Sequence, residues 1–326
     1  MKALITGGNG FIGSFLIEKL LQKGHEICCL IRKTSNLKWL TNLPVKYCYG
    51  DITRPESLYA AVENADYIFH LGGLTKALKP ADYFFVNTQG TANLLAACSK
   101  VNPNLRKFIF VSSLAASGPS LDGQPLTELF PAAPLTPYGK SKAEAEALVL
   151  SWSEKFPVTI LRPPPVYGPR DVDVFEIFKY VNKRLKLRLL GPERLTSMIY
   201  VHDLVDGIIL AAEKEQANGQ IYFLTDGGYY SWEQINNLIE KALNKKAFSI
   251  ALPAFMLDIA AELSEWAAKW TQKAPLINRP KVLEMKQQFW ICSVDKAQKE
   301  IGFSPHFTLE NGITETVRWY KNAGWL

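Results

Sequence analysis

Tyr138 and Lys142 stand four residues apart in Tyr-Gly-Lys-Ser-Lys, a spacing that puts a phenol and an ammonium on one face of a helix. An unperturbed phenol titrates near ~10, too high for a base at neutral pH. A cation beside it favours the phenolate and lowers that value. Tyr138 could then take a proton from an alcohol or return one to a carbonyl. Such a pair, met alone, is usually coincidence. Here Ser112-Ser113 follows the apolar run Phe108-Ile-Phe-Val111, where one hydroxyl could hold the reacting oxygen, although a serine pair at a strand end by itself reads as a turn cap.

A glycine-rich loop at the other end of the chain supplies the missing partner. In Lys2-Ala-Leu-Ile-Thr-Gly-Gly-Asn-Gly-Phe-Ile-Gly13, a short apolar strand runs into Gly7, Gly8, Gly10 and Gly13, and a helix with apolar residues at 12, 16, 17, 20 and 21 follows. Gly8-x-Gly10-x-x-Gly13 satisfies the dinucleotide fingerprint: glycines for a tight turn, for backbone approach to a pyrophosphate, and for helix–strand packing. The helix start offers free N–H groups to phosphates. A cationic nicotinamide ring would lower the Tyr138 value further, and hydride could move as the proton moves.

The elements that must position these groups alternate. Strands are expected at 3–6, 25–31, 45–49, 67–70, 107–112 and 158–161, and helices between them predict a doubly wound parallel α/β sheet with ligands beyond the carboxyl ends of its strands. Thr53 and Glu56 have capping-box spacing around Pro55, a long helix is expected from about Asn87 to Lys100, and Thr136-Pro137 starts another that runs to about Phe156. Pro163-Pro-Pro165 interrupts the pattern, so residues 1–165 read as a dinucleotide-binding domain and 166–326 as mainly a substrate lobe. In that second part, helices are expected near 173–184, 202–213 and 232–243, and Gln220-Ile-Tyr-Phe-Leu224 as a strand returning to the sheet. A helix near 254–271 carries Phe255, Ile259, Leu263, Trp266 and Trp270 on one stripe, read first as core-facing, with a pocket wall or a membrane-surface contact as alternatives.

With 326 residues, 48% apolar and 21% charged, the chain has the composition of a globular protein. The five cysteines are scattered and odd in number, which predicts reduced thiols, no metal site and a cytoplasmic protein. No signal peptide is expected ahead of the first strand, and no apolar run reaches the ~18 residues of a membrane span. A net charge of +6 suits an anionic cofactor and is too small to argue for nucleic acid. The densest basic run, Lys179 to Arg188, reads as a solvated face or, less simply, as a cradle for an anionic substrate.

Together these segments resemble the extended short-chain dehydrogenase/reductases, the NAD-dependent epimerase/dehydratase-like family. The resemblance rests on Thr6–Gly13, Gly50-Asp-Ile52, Val86–Leu95, Val111–Gly118, Tyr138 to Lys142, Leu161–Pro169 and Tyr200-Val-His-Asp-Leu204. It implies Tyr138 as acid/base, Lys142 as holder of the nicotinamide ribose, and Ser113 rather than Ser112 on the substrate oxygen. It also implies cofactor contacts from Gly7, Asn9, Gly10, Phe11, Ile12, Gly13, Asp51, Ile52 and Leu71-Gly72-Gly73. Asn87 would brace the site, Pro163 and Pro164 would pass the nicotinamide amide, and a homodimer would form through helices after strands four and five.

Two departures refine this. Ile31-Arg32-Lys33 stands where NAD users place an acidic residue, so Arg32 and Lys33 either meet the 2′-phosphate of NADP or face solvent; NADP is favoured and NAD stays open. Pro165 replaces the asparagine of the sugar epimerases, and Leu161–Arg170 looks more like the hydroxysteroid dehydrogenase and dihydroflavonol reductase branches. The expectation is an NAD(P)-dependent oxidoreductase acting on a mostly apolar alcohol or ketone. A nucleotide-sugar epimerase or dehydratase, and a non-catalytic NADP sensor, are the alternatives.

Overall fold

A computed structural model describes residues 1–271, 275 and 277–326. The first half alternates as β1 (Lys2–Thr6), α1 (Phe11–Gln22), β2 (Glu26–Ile31), β3 (Lys46–Tyr49), α2 (Tyr59–Val62), β4 (Tyr67–His70), α3 (Pro80–Tyr83), α4 (Gly90–Val101), β5 (Lys107–Val111), α5 (Pro137–Ser151) and β6 (Val158–Arg162). The central strands are apolar on both faces because helices cover both. Ile5, Phe69, Ile109 and Leu161 pack with α1 and with the helix that begins at Val201, and Leu4, Ile68, Phe108 and Ile160 pack with α4 and α5.

The second half adds β7 (Val166–Tyr167), α6 (Phe175–Asn182), β8 (Leu185–Leu189), β9 (Leu195–Thr196), β10 (Ile199–Tyr200), α7 (Val201–Glu213), β11 (Gln220–Phe223), β12 (Tyr230–Ser231), α8 (Trp232–Leu243), β13 (Phe248–Leu252), α9 (Ala254–Thr271), α10 (Arg279–Lys286), β14 (Phe289–Trp290), α11 (Asp295–Ile301) and α12 (Leu309–Asn322). The expected returning strand is β11, which pairs in parallel with β6. The main sheet has seven strands in the order β11-β6-β5-β4-β1-β2-β3, every pair parallel. The order reverses between β1 and β4, and the crevice at that reversal faces the Gly7–Gly13 loop.

Several local expectations fail for visible reasons. Thr53 does not cap a helix: its N–H and hydroxyl both donate to Asp51 Oδ1, at 2.9 and 2.8 Å, which leaves Pro55–Ser57 as a short 3₁₀ turn. The helix expected from Asn87 begins earlier, at Pro80, and passes through a π-helical stretch, Phe84–Gln89, before α4. Helix α5 does start at an N-cap Thr136, whose Oγ1 accepts from Gly139 N at 3.2 Å, but it ends at Ser151 rather than Phe156. The cysteines are not all free thiols: Cys28 and Cys48, on adjacent strands β2 and β3, form a disulfide with Cα atoms 6.2 Å apart. A twenty-residue separation hid that pair, since only strand pairing brings it together. The α9 stripe is not core, as Trp266 is 62% and Trp270 77% exposed.

Candidate active site

The phosphate end of the crevice is built from backbone. Gly7 has φ +70°, and a Cβ there would lie 2.8 Å from the backbone of Leu71 and Gly72. At Gly13 a Cβ would come within 2.7 Å of Gly8 Cα, so only glycine lets α1 sit this close to the turn. Gly10 is the N-cap of α1 and brings no side chain to cap it, so the N–H groups of the first turn stay available to an anion. Asn9 reaches the loop after β2, donating from Nδ2 to Asn36 O at 3.2 Å. This cradle fits a dinucleotide diphosphate.

Flanking loops continue the crevice. Arg32 and Lys33 are exposed directly beyond β2. Burial would raise the Asp51 carboxyl, but the two Thr53 hydrogen bonds, aided by Arg32 and Arg54, bring it below the usual carboxylate range. Ile52 packs its side chain against Gly90 of α4, where an added Cβ would meet it at 2.9 Å, and its carbonyl accepts from Asn93 Nδ2 at 2.9 Å. Leu71, Gly72 and Gly73 follow β4, and Gly72 N donates to Thr6 Oγ1 at 2.9 Å. Asn87 is a brace: it accepts from Leu74 N at 2.7 Å and donates to Leu74 O and Ser141 Oγ, each at 3.0 Å. It thereby ties the loop after β4 to α5. Pro163 and Pro164 are buried at the end of β6, and the Pro163 carbonyl accepts from Leu114 N at 2.8 Å.

The three polar residues meet at the carboxyl end of β5. Ser113 accepts from Ala115 N at 3.1 Å, and its hydroxyl acts on Tyr138 to favour the phenolate. Burial pushes the Tyr138 phenol up to about 12; the Ser113 contact opposes this, while Glu284, Tyr83 and Asp173 reinforce it. Lys142 is not among the groups that set that value. Its Nζ donates to Val111 O at 2.8 Å and lies 4.2 Å from the centre of the Phe110 ring. Burial lowers the Lys142 ammonium to about 8. The expectation that Lys142 depresses the Tyr138 value is therefore corrected: burial dominates, and the phenol keeps its proton at neutral pH. Ser112 lies outside this contact, its buried Oγ without a partner among the described residues.

Residues that no motif announced complete the site. Tyr83 lies edge-on to Tyr138 with ring centres 6.0 Å apart, and Glu284 of α10 accepts from Thr136 Oγ1 at 3.1 Å. Glu284 is 146 positions from Tyr138 in a segment without pattern, so no local signal could place it; Tyr83 shares a helical run with Asn87, four residues on, and could have been suspected. Beneath the crevice, buried His70 bridges Thr6 Oγ1 (2.6 Å) and Thr91 Oγ1 (2.9 Å), and burial holds its imidazole down at about 3, hence neutral. The basic run lies elsewhere: Lys179 pairs with Glu176 and Lys186 with Glu240. Among the large apolar groups of the second lobe, Phe178 is core and Phe175 packs on Tyr320 with ring centres 4.6 Å apart. Phe255, Trp266 and Trp270 face outward, and Trp290 donates to Glu284 O at 2.9 Å.

Comparison with known proteins agrees with this geometry. Residues 3–224 match the model of the NAD dependent epimerase/dehydratase family. The chain is 29% identical to a 3-beta-hydroxysteroid dehydrogenase of Mycolicibacterium neoaurum, covering 98% of this chain and 92% of that one. It is 31% identical to 3 beta-hydroxysteroid dehydrogenase type 7 of Homo sapiens, over 98% and 95%. A Thermus thermophilus UDP-glucose 4-epimerase crystallised with NAD shares the fold, at TM-score 0.81 and 23% identity over 99% of this chain and 100% of that one.

Proposed function

The chain belongs to the NAD dependent epimerase/dehydratase family as an oxidoreductase of the extended short-chain type, and on that premise we propose an NADP(H)-dependent reductase of a mostly apolar ketone, with Tyr138 as its proton donor. The observation that carries this reading is the placement of Ser113, Tyr138 and Lys142 together at the carboxyl end of β5, across the crevice from the Gly7–Gly13 cradle, where burial pushes the Tyr138 phenol up. A protonated donor suits carbonyl reduction. Against a nucleotide sugar, Pro165 has no side-chain amide to hold one.

Gly7, Asn9, Gly10, Phe11, Ile12 and Gly13 hold the pyrophosphate, Asp51 and Ile52 the adenine, and Arg32 with Lys33 the 2′-phosphate. Leu71 to Gly73, Asn87, Pro163 and Pro164 line the nicotinamide side. Bound there, the nicotinamide supplies the hydride. Ser113 orients the carbonyl oxygen, Tyr138 passes its phenolic proton to that oxygen as charge develops on it, and Lys142 holds the ribose. Residues 1–165 thus hold the cofactor and 166–326 shape the substrate pocket.

The proposal includes a cytoplasmic homodimer. Exposed small residues on α4 and α5, Ala96 and Ala147, would let the helices of a second copy approach. No helix among the described residues is long and apolar enough to cross a membrane.

The test is steady-state turnover of sterol-like and flavonoid-like ketones, with NADPH and with NADH, on wild type and Arg32→Ala. NADPH consumption by at least one ketone is expected, with a preference over NADH that falls about tenfold in the variant. Epimerised nucleotide sugar without net cofactor turnover would replace this reading with the epimerase one, and equal use of both cofactors would remove Arg32 from it.

A further inference from the structure

Helix α9 has three faces, and only two of them are used by the fold. Leu257, Ala261 and Ala268 are buried, the first two against Val282 of α10 and Leu189 of β8. Asp258 and Glu262 form a charged flank taken up by α10, in pairs with Lys286 at 2.7 Å and Arg279 at 3.0 Å. The third face carries Phe255, Ile259, Leu263, Trp266 and Trp270, all more than half exposed. Nothing among the described residues covers it.

The same surface continues into the preceding strand pair. Leu252 ends β13, and Ala254 begins α9 after a single proline. In the parallel register of β13 with β8, Phe248 faces Leu185, Ile250 faces Leu187 and Leu252 faces Leu189, so one face of this ribbon is wholly apolar. Phe248 is 75% exposed, while the opposite face is anchored to the fold through Lys186 and Glu240, 2.7 Å apart. Leu189 sets the ribbon beside α9 by packing against the buried cluster of Leu257, Ala261 and Val282.

Cations rim the Phe248 end. Phe248 N donates to Arg184 O at 2.9 Å, and Lys183 and Lys246 flank that contact in the chain. All three basic side chains are exposed and take no carboxylate among the described residues, unlike their neighbours Lys179 and Lys186.

We propose that α9 and the β8–β13 ribbon form a docking surface for an anionic lipid bilayer, lying in its interface rather than crossing it. An apolar face with tryptophans inserts among acyl chains, and a cationic rim meets anionic headgroups. The charge distribution selects this occupant over a second copy of the chain: three cations without a carboxylate partner among the described residues match anionic headgroups, whereas Asp258 and Glu262, the carboxylates α9 would offer them from a second copy, are already paired with Lys286 and Arg279. Docking there also places the bilayer one helix away from Glu284 and Tyr138. The inference does not rest on the redox reading, and its test measures no turnover.

Full-length protein is sedimented with vesicles of phosphatidylcholine alone and of phosphatidylcholine mixed with phosphatidylglycerol, and tryptophan emission is followed with bromine-labelled acyl chains as quenchers. Binding to the mixed vesicles, a blue shift and quenching are expected. The double variant Leu263→Ser with Trp270→Ser should lose about tenfold or more in partitioning. Lys183→Glu with Lys246→Glu should lose the preference for the anionic vesicles while retaining its thermal midpoint. Failure of wild type to bind either vesicle, or equal binding by the serine variant, overturns the proposal. So does self-association without lipid that the serine variant abolishes, if no vesicle binding accompanies it, since the face then belongs to a second copy.

Discussion

Strand β5 and helix α9 are both rich in large apolar residues, and they meet opposite fates. Every residue of β5 from Lys107 to Val111 is buried, with Phe108 wholly inaccessible between α4 and α5, whereas Trp270 on α9 is 77% exposed. The difference is one of neighbours. A central parallel strand is covered by crossover helices on both faces, and those helices are obligatory to its connectivity. Helix α9 comes after the sheet is complete, and among the described residues its neighbours lie on one side. Burial in the sheet half holds the fold and the catalytic phenol in one state; exposure in the lobe leaves a surface available to something outside the molecule.

The largest expected effect lies at the buried end of this contrast. Tyr138→Phe should lower kcat for ketone reduction by at least ~10²-fold while the affinity for NADPH, measured by fluorescence titration, changes little. Near-normal turnover would place the proton donor elsewhere.

Next comes the buried ion pair that fixes α5 to β6. Arg162 donates from Nε and Nη2 to the Glu146 carboxylate, at distances down to 2.6 Å. Glu146→Gln leaves a buried guanidinium without a counter-charge and should cost about 3–5 kcal/mol in urea unfolding. A cost below about 1 kcal/mol would mean that water reaches Arg162 and that the two halves differ less than their burial indicates.

A pH profile sharpens the same point. The folded Lys142 loses its proton near 8, below its ordinary 10.5, while Tyr138 keeps its own until about 12. Rising pH removes the ammonium first, so kcat/KM for reduction should decline above about pH 8 and not wait for the phenol. A profile flat to pH 10 would show that Lys142 keeps its charge during turnover.

The smallest effect is expected on α9. Replacing Leu263 and Trp270 by serine should change unfolding free energy in lipid-free buffer by no more than about 0.5 kcal/mol per site, because neither side chain leaves a cavity. A loss of several kcal/mol would mean that the stripe is covered in solution.

What was legible in the sequence was local. The Gly7–Gly13 turn, the N-cap at Thr136 and the strand–helix alternation each depend on backbone geometry and residues a few positions apart, so the pattern and the structure coincide there. That alternation announced a doubly wound parallel sheet, while the order of its seven strands is seen only in the structure. Thr53 escaped because two rules competed over a few residues, and a hydrogen bond to Asp51 won over a cap. Tertiary structure alone decided the rest. Only the pairing of β2 with β3 brought Cys28 to Cys48, and only the fold set Glu284 beside Thr136 and pushed the Tyr138 phenol up rather than down. A periodic stripe states that a helix has an apolar face; whether that face is buried depends on what stands opposite, and opposite α9 there is no element of the described chain.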